Sequence, residues 1–351
     1  MNGDRLNDRE LERYSRQIVL NQIGYKGQLK LKKSKVCVIG LGGLGIPISI
    51  RLATMGVGHI RIVDRDVVSL SDLHRQYLYD DQTLYKSKVE AASERLKRMN
   101  PYITVEPLTE SITSQNVKRI VKGFDVVLDG LDSIEARYLV NAACVEERTP
   151  YVYGGAIQSM GNVTTIQPGT TPCLECFMPG VKDEWAPKCS IVGVFPPILD
   201  IVAAIEVSEA VRIITGDEPK LAGKLLFIDL ENLDFHSVEI NRYDQCPICG
   251  EPRKPQPPET PIIEEECARN GKRTLIFTPK EALDIDIPQL QQKVKACGLK
   301  VESEGKLHIT FHYDGSVVSV MKSGVIIVQT RLTGEKHEIV ENVQKLLADW
   351  A

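Results

Sequence analysis

Nine cysteines are the residues in this 351-residue chain most able to do chemistry, and four of them fall in two Cys-x-x-Cys pairs. CLEC supplies Cys173 and Cys176, and CPIC supplies Cys246 and Cys249. Two such knuckles complete a closed tetrahedral zinc site, with sulfur about 2.3 Å from the metal. A site of this kind is structural, because no position stays open for a reacting water. A redox dithiol, or two unrelated pairs, would use the same residues without a metal. Cys189, the first residue of CSIVGVFPP, belongs to neither pair and stands between Lys188 and Ser190. A nearby cation or helix start would make it a nucleophile, and an apolar setting would leave it inert. Cys37 and Cys144 lie in apolar stretches and read as core thiols. Cys267 and Cys297 have no histidine at ligand spacing.

GLGGLG is the second chemistry-bearing stretch. Gly40, Gly42 and Gly45 have GxGxxG spacing, and Gly43 adds a fourth glycine. The run follows the apolar KVCVIG, and Ile48, Leu52 and Met55 then recur at helical spacing. Glycines here permit a tight turn and close approach of phosphate to backbone amides at a helix N-terminus. Asp64, 24 residues after Gly40 at the end of HIRIVD, is placed to accept from ribose hydroxyls. That much fits an NAD enzyme as well as an ATP enzyme. The neighbours separate them: Asp72, Arg75 and Gln76 in SDLHRQ, Lys88 in YKSKVE, Asp129 and Asp132 in DGLDS. Arginine and lysine neutralise a triphosphate, and an acid in the same crevice can hold Mg²⁺. Singly, each is an ordinary surface or ion-pair residue; their concentration around one glycine loop favours ATP.

These groups need a scaffold, and the hydrophobic pattern supplies one. KVCVIG and HIRIVD flank a helix in a βαβ unit, whose crossover implies a parallel sheet. ITVEPL and FDVVLDG predict two further acid-tipped strands, with a helix from about Lys86 to Met99 between them, stopped by Pro101. Strands around Gly-rich turns are expected over 151–167, and late strands from Leu225, with a helix-like apolar run after CSIVGVFPP. The fold class is therefore α/β, a Rossmann-like mostly parallel sheet, with a small C-terminal α+β domain. The proline-rich GEPRKPQPPETP marks the boundary. The chain divides into a helical lead over 1–33, an α/β domain over 34–250, a linker over 251–263 and the small domain over 264–351. In the last, Leu283, Leu290 and Val294 predict a helix around PQLQQKVKACG; LHITFHY and GVIIVQT predict strands, and EIVENVQKLLADW a closing helix. His308 and His312 share one strand face about 13 Å apart, too far for one metal, and read as a solvated face.

Composition sets outer limits. Hydrophobic residues make up 42% and charged residues 26%, and the formal net charge is −4. That balance gives no reason to expect a nucleic-acid or anionic-membrane partner. No run reaches about eighteen continuous apolar residues, and the charged start MNGDRLNDRELERYSRQ is unlike a signal peptide. An intracellular, cytoplasmic place is expected, where cysteines serve as metal ligands or free thiols more than as disulfides.

RYSRQ at 13–17, GLGGLG at 40–45, DxDxVxxSDLHRQ from Asp64, YKSKVE at 85–90, DGLDS at 129–133 and GGAIQSMGNVTTIQPG occur in that order. Over roughly residues 10–250 the chain resembles the MoeB/ThiF/ubiquitin-activating-enzyme superfamily. The resemblance implies ATP-dependent adenylation of the C-terminal glycine of a β-grasp protein, in the main reading a ubiquitin-like modifier. It implies that Asp64 binds the ribose, that Arg75 and Lys88 hold phosphates, and that Asp132 binds Mg²⁺. Arg16 would reach across a homodimer interface into the neighbour's ATP site. Asp66 and Gln76 fall within the same nucleotide motif. Asp72 replaces the usual asparagine, and an acid so near phosphate adds repulsion unless neutralised or turned away. Many members carry the four-cysteine structural zinc. Cys189 matches the cysteine that in catalytic or sulfur-transferring members accepts the activated carboxyl as a thioester, or forms an acyl-disulfide. The tail loosely resembles a ubiquitin-fold domain that recruits a conjugating enzyme; a stabilising or dimer-supporting appendage is the other reading. Two alternatives stand beside the main one: adenylation of a sulfur carrier for molybdopterin, thiamine or tRNA thiolation, and a non-catalytic scaffold. The presence of Arg16, Arg75, Lys88 and Asp132 in one chain argues against the scaffold.

Overall fold

The computed structural model describes residues 5–183, 192–251, 262–267 and 272–348. Three short helices lead in: α1 (Asp8–Arg13), α2 (Ser15–Ile18) and α3 (Gly24–Lys33). Asn7 caps α1, and it and Glu10 bond each other's backbone N–H in a reciprocal capping box. Tyr14 then locks the lead onto the body, its hydroxyl accepting from Asn100 Nδ2 at 2.8 Å.

An eight-stranded sheet follows. Its strands are β1 (Lys35–Ile39), β2 (His59–Val63), β3 (Thr104–Leu108), β4 (Val126–Asp129), β5 (Tyr151–Ile157), β6 (Met160–Ile166), β7 (Lys224–Asp229) and β8 (Asp234–Glu239). They lie in the order β3-β2-β1-β4-β5-β6-β7-β8. Pairing is parallel from β3 through β5 and antiparallel from β5 through β8. The mostly parallel sheet of the sequence reading is thus present, with an antiparallel extension on one side. β1 reads as an uninterrupted apolar run because both its faces are covered. Val36 and Val38 join one core with Leu31 and residues of α4 (Gly45–Met55), α5 (Lys88–Met99) and α9 (Pro196–Thr215). Cys37 and Ile39 join the opposite core with α6 (Val117–Val121), α7 (Ile134–Glu147) and Leu174 of α8 (Leu174–Phe177). Pro107 is tolerated within β3 because that strand lies at the sheet edge.

The C-terminal unit is a six-stranded sheet of β9 (Ile263–Cys267), β10 (Arg273–Phe277), β11 (Val301–Glu304), β12 (His308–Tyr313), β13 (Ser316–Met321) and β14 (Ile326–Thr330). The order is β11-β12-β13-β14-β10-β9, and every pairing is antiparallel. Leu290 and Val294 of α10 (Ile287–Ala296), with Ile339, Val340 and Val343 of α11 (Lys336–Ala348), cover one face. On the other face Ile276, Met321, Val325 and Ile327 enclose Val67 of the large domain. Two expectations change here. Leu283 is exposed and precedes α10, which starts after Asp286, whose carboxylate accepts from Gln289 N–H at 3.0 Å. His308 does not lie on a solvated face; it is fully buried between the two domains.

Candidate active site

β1 and β4 are neighbours in the sheet, yet the chain leaves β1 for β2 on the other side. A crevice opens at such a reversal, beyond the carboxyl ends of the strands. Three segments meet there: the glycine loop after β1, residues 64–88 after β2, and residues 129–133 after β4. Gly40 has φ +89, and a Cβ on it would lie 2.4 Å from the Gly130 carbonyl oxygen. A Cβ on Gly45 would lie 1.8 Å from the Gly40 carbonyl oxygen. Both positions therefore exclude side chains for packing reasons. Gly42 differs, since the one atom near its Cβ position is Gly130 O at 3.9 Å. Its surface is open, as close approach of a phosphate to the α4 N-terminus requires. Gly43 packs on Leu199 of α9.

Asp64 directly follows β2 and is tied to the loop, one oxygen accepting from Leu41 N–H at 2.7 Å and the other from Asp66 N–H at 2.7 Å. Burial pushes its carboxyl up to about 6, against the opposing pull of Lys88. Asp66 shares the burial cost, but Lys88 and Arg65 outweigh it and hold the group below the usual carboxylate range. Lys88, at the first position of α5, lies 3.2 Å from Asp66 Oδ2 and 3.9 Å from Asp72 Oδ2. Burial works against its charge, and the three aspartates more than restore it, so its pKa is well above that of a free lysine. Asp72 is turned inward. It accepts from Ser69 N–H at 3.0 Å, from Gln76 Nε2 at 2.9 Å and from Arg75 at 3.3 Å. The acid that replaces asparagine is therefore neutralised by cations and spent on holding the turn. Gln76 is buried with its Oε1 unpartnered among the described residues.

After β4, Asp129 is completely buried. It accepts from Arg137 Nε at 3.0 Å, from Leu131 N–H at 2.9 Å and from the Tyr151 hydroxyl. Burial raises its pKa despite these partners. Asp132 is exposed at the same strand end, just before Ser133 caps α7. Asp129 is thus a framework acid, and Asp132 is the one available to a cation. Arg16 is also exposed, on α2. The sequence reading overlooked Arg137, which donates to Asp129, to Leu131 O at 2.6 Å and to Gly154 O at 2.8 Å. Its signal was an arginine set among the apolar residues of a helix just past an acid-tipped strand. Glu206 was also overlooked; it is buried beside Asp129, and burial pushes its pKa well up.

The cysteine pairs come together as their spacing predicts. Cys173 Sγ is 3.6 Å from Cys246 and 4.0 Å from Cys176, and Cys176 is 3.4 Å from Cys249. All four sulfurs lie within 4.8 Å of one another. A tetrahedron with about 2.3 Å from centre to sulfur has edges near 3.8 Å, so these thiols fit a four-coordinate metal ion. Among the described residues no other group of three or more His, Cys, Asp or Glu is so arranged. Leu174 N–H donates to Asn141 of α7 at 3.0 Å and fixes the first knuckle. Cys37 and Cys144 are fully buried core thiols; burial pushes Cys37 up to about 12. Cys189 lies outside the described residues. The last described residue before it is Asp183, whose carboxylate accepts from Ser133 Oγ at 2.6 Å and Ile134 N–H at 2.5 Å, beside Asp132. The first described residue after it is Val192, and Phe195 N–H donates to Gln158 O at 2.8 Å.

Fold and site together define a doubly wound α/β protein with four cysteines placed as for a metal ion. Residues 14–248 match the ThiF family, and the chain belongs to it. The adenylyltransferase and sulfurtransferase MOCS3 of Culex quinquefasciatus is 38% identical over 264 residues, 75% of this chain and 59% of the relative. The sulfur carrier protein adenylyltransferase of Thermus thermophilus is 35% identical over 263 residues, 73% of this chain and 96% of the relative. The SAMP-activating enzyme E1 of Haloferax volcanii is 37% identical over 243 residues, 69% and 90% respectively. The chain spans less than two-thirds the length of the MOCS3 relatives. Escherichia coli MccB, crystallised with ATP, has a TM-score of 0.60 and 26% identity over 68% of this chain and 74% of that one.

Proposed function

We propose that this chain is an adenylyltransferase that uses ATP to activate the C-terminal carboxylate of a ubiquitin-like modifier. The observation that carries the proposal is the open backbone at Gly42, next to Leu41, whose N–H Asp64 of the Asp64–Asp66–Lys88 cluster accepts, in a member of the ThiF family. The partner's carboxylate oxygen attacks the α-phosphorus; the bond to the bridging oxygen breaks, and pyrophosphate leaves with its electron pair. Lys88 and Arg75 offer fixed positive charge for the phosphates, and Asp64 accepts from the ribose. Asp132 would hold Mg²⁺, which supplies Lewis-acid neutralisation of phosphate charge when bound. Asp72 braces Arg75 and Gln76 within the same nucleotide motif. The four cysteines would hold structural Zn²⁺. In a second step the Cys189 thiolate attacks the acyl carbonyl, AMP leaves, and a thioester forms.

A sulfur-carrier substrate is the second reading, favoured by the names of the Thermus and Culex relatives. A homodimer in which Arg16 reaches the neighbouring site is supported by the exposed apolar residues around it, Leu11, Val19, Leu20 and Tyr25. The division 1–33, 34–250, 251–263 and 264–351 is retained as part of the proposal. Recruitment of a conjugating enzyme by 264–351 has less support, since one face of that sheet is occupied by the large domain. No described helix is long and apolar enough to cross a membrane.

Pyrophosphate exchange dependent on a β-grasp protein tests the first step. Absence of exchange with every candidate, despite ATP binding, rejects the enzyme in favour of a scaffold. Intact-mass measurement of wild type and Cys189→Ala tests the second. A thiol-labile adduct lost in the variant is expected, and an adduct that persists removes Cys189 from the path.

A further inference from the structure

Residues 64–88 form a loop closed at its neck. Lys88 N–H donates to Asp66 O at 2.9 Å, Tyr85 N–H to Val68 O at 2.9 Å and Val68 N–H to Lys86 O at 2.9 Å. The loop beyond the neck carries Asp72, Arg75 and Gln76, and the neck itself carries Asp66 and Lys88. The C-terminal sheet grips this neck from both sides. Glu264 of β9 makes a two-pronged ion pair with Arg65, at 2.6 and 2.8 Å. Val67 is enclosed by Ile276, Met321, Val325 and Ile327. Thr310 Oγ1 of β12 donates to Tyr85 O at 2.9 Å, at a residue held at φ 63. Glu90, two residues past Lys88, accepts from Lys306 N–H at 2.7 Å, Leu307 N–H at 3.2 Å and His308 Nδ1 at 3.0 Å.

Glu90 shows what this contact is for. Ser87-x-x-Glu90 is a capping-box sequence, in which the glutamate would turn back to the Ser87 N–H. Here Ser87 makes no side-chain cap, and its buried hydroxyl has no partner among the described residues. Among the described residues, every hydrogen-bond donor to Glu90 comes from the C-terminal unit instead. A carboxylate this buried is costly unless its partners are fixed in place. Those partners are fixed: His308 is fully buried and its Nε2 meets Ser303 Oγ at 3.0 Å. A Cβ on Gly305 would fall 2.3 Å from Glu90 Oε2, so the turn is shaped around the carboxylate.

We infer that the C-terminal domain is a brace for the nucleotide site, with Glu90 the positioning residue that sets Lys88 and the 64–88 neck in their ATP-binding geometry. This rests on the reading of Asp64, Arg75 and Lys88 as ATP ligands. The domain is then part of the catalytic unit rather than a tethered module, and loosening its grip lowers affinity for ATP before it affects later steps.

The test measures the ATP dissociation constant by calorimetry, and KM and kcat by pyrophosphate exchange, on the full chain. Glu90→Ala is expected to weaken ATP about tenfold, with the loss in KM more than in kcat. Glu90→Gln is expected to recover part of this, because its amide oxygen still accepts from Lys306 N–H and its NH2, in the place of Oε2, donates to His308 Nδ1 in the other tautomer, while the bond from Leu307 N–H is lost. Val294→Ala, in the apolar core of the same domain and away from the neck, is expected to lower the melting temperature and leave ATP affinity unchanged. Should Glu90→Ala fail to fold, Glu264→Ala releases the other side of the neck, with a threefold or greater loss expected, on the order of the same coupling. Wild-type affinity in the folded neck variants, or an equal loss in Val294→Ala, overturns the inference. A wild type that binds no ATP instead overturns the nucleotide reading on which it stands.

Discussion

Replacing Arg137 with methionine keeps the bulk of a long side chain and removes one buried charge. The guanidinium is bonded to the fully buried Asp129 and to the carbonyls of Leu131 and Gly154. Removing one member of a buried ion pair leaves the other uncompensated and costs about 3–5 kcal/mol. Tyr151 and Leu131 N–H still donate to Asp129, which places the expected loss nearer about 3 kcal/mol. That is a large part of an ordinary domain's stability. The pH dependence gives the charge away. Asp129 already has a raised pKa, and loss of Arg137 raises it further. A carboxyl with a folded pKa above its unfolded one is most stabilising when protonated, and that contribution is lost as pH rises through the folded value. Urea unfolding of Arg137→Met should therefore show a smaller deficit at pH 5 than at pH 8. Adding Asp129→Asn should recover part of the deficit at pH 8. A deficit below about 1 kcal/mol, or one equal at both pH values, would refute the reasoning.

The glycine loop predicts a contrast between neighbours. Gly42→Ala should melt near wild type and weaken ATP about tenfold or more, because its methyl enters the open surface that amides present to phosphate. Gly45→Ala should lose stability outright, its Cβ falling on the Gly40 carbonyl; equal melting temperatures for the two would contradict the packing argument. Elemental analysis should find one zinc per chain, and Cys246→Ser should abolish it with a stability loss on the order of 5 kcal/mol. Metal-free protein of undiminished stability would make the cluster incidental.

How much of this was readable in advance depended on how local the physics is. The βαβ unit, the glycine loop and Asp64 follow from strand and helix periodicities over adjacent residues. The meeting of the four cysteines follows from ligand spacing, even across 73 residues, because two Cys-x-x-Cys knuckles have few other uses. Asp72 was ambiguous, since only the folded turn shows Ser69, Arg75 and Gln76 around it. Glu90 was invisible: a local capping rule gave way to partners 216 to 218 residues later in the chain. His308 failed for the same reason. The alternation of LHITFHY separates two strand faces but does not say that α5 will cover the one assigned to water.

Cys173 and Cys246 stand far apart in sequence, yet their sulfurs meet at 3.6 Å. With an ion between the knuckles, the intervening chain becomes a closed ring that contains α9, β7, β8 and residue 189. A backbone cut inside such a ring yields two fragments tied to each other through the metal, and also through the β6–β7 pairing and the core that α9 shares with β1 and α4. The candidate acceptor thiol therefore belongs to a segment whose two ends stay moored however the stretch between them is handled. On the proposed reading, a chain so built can be nicked near residue 189 and still hold together the residues of its candidate nucleotide site.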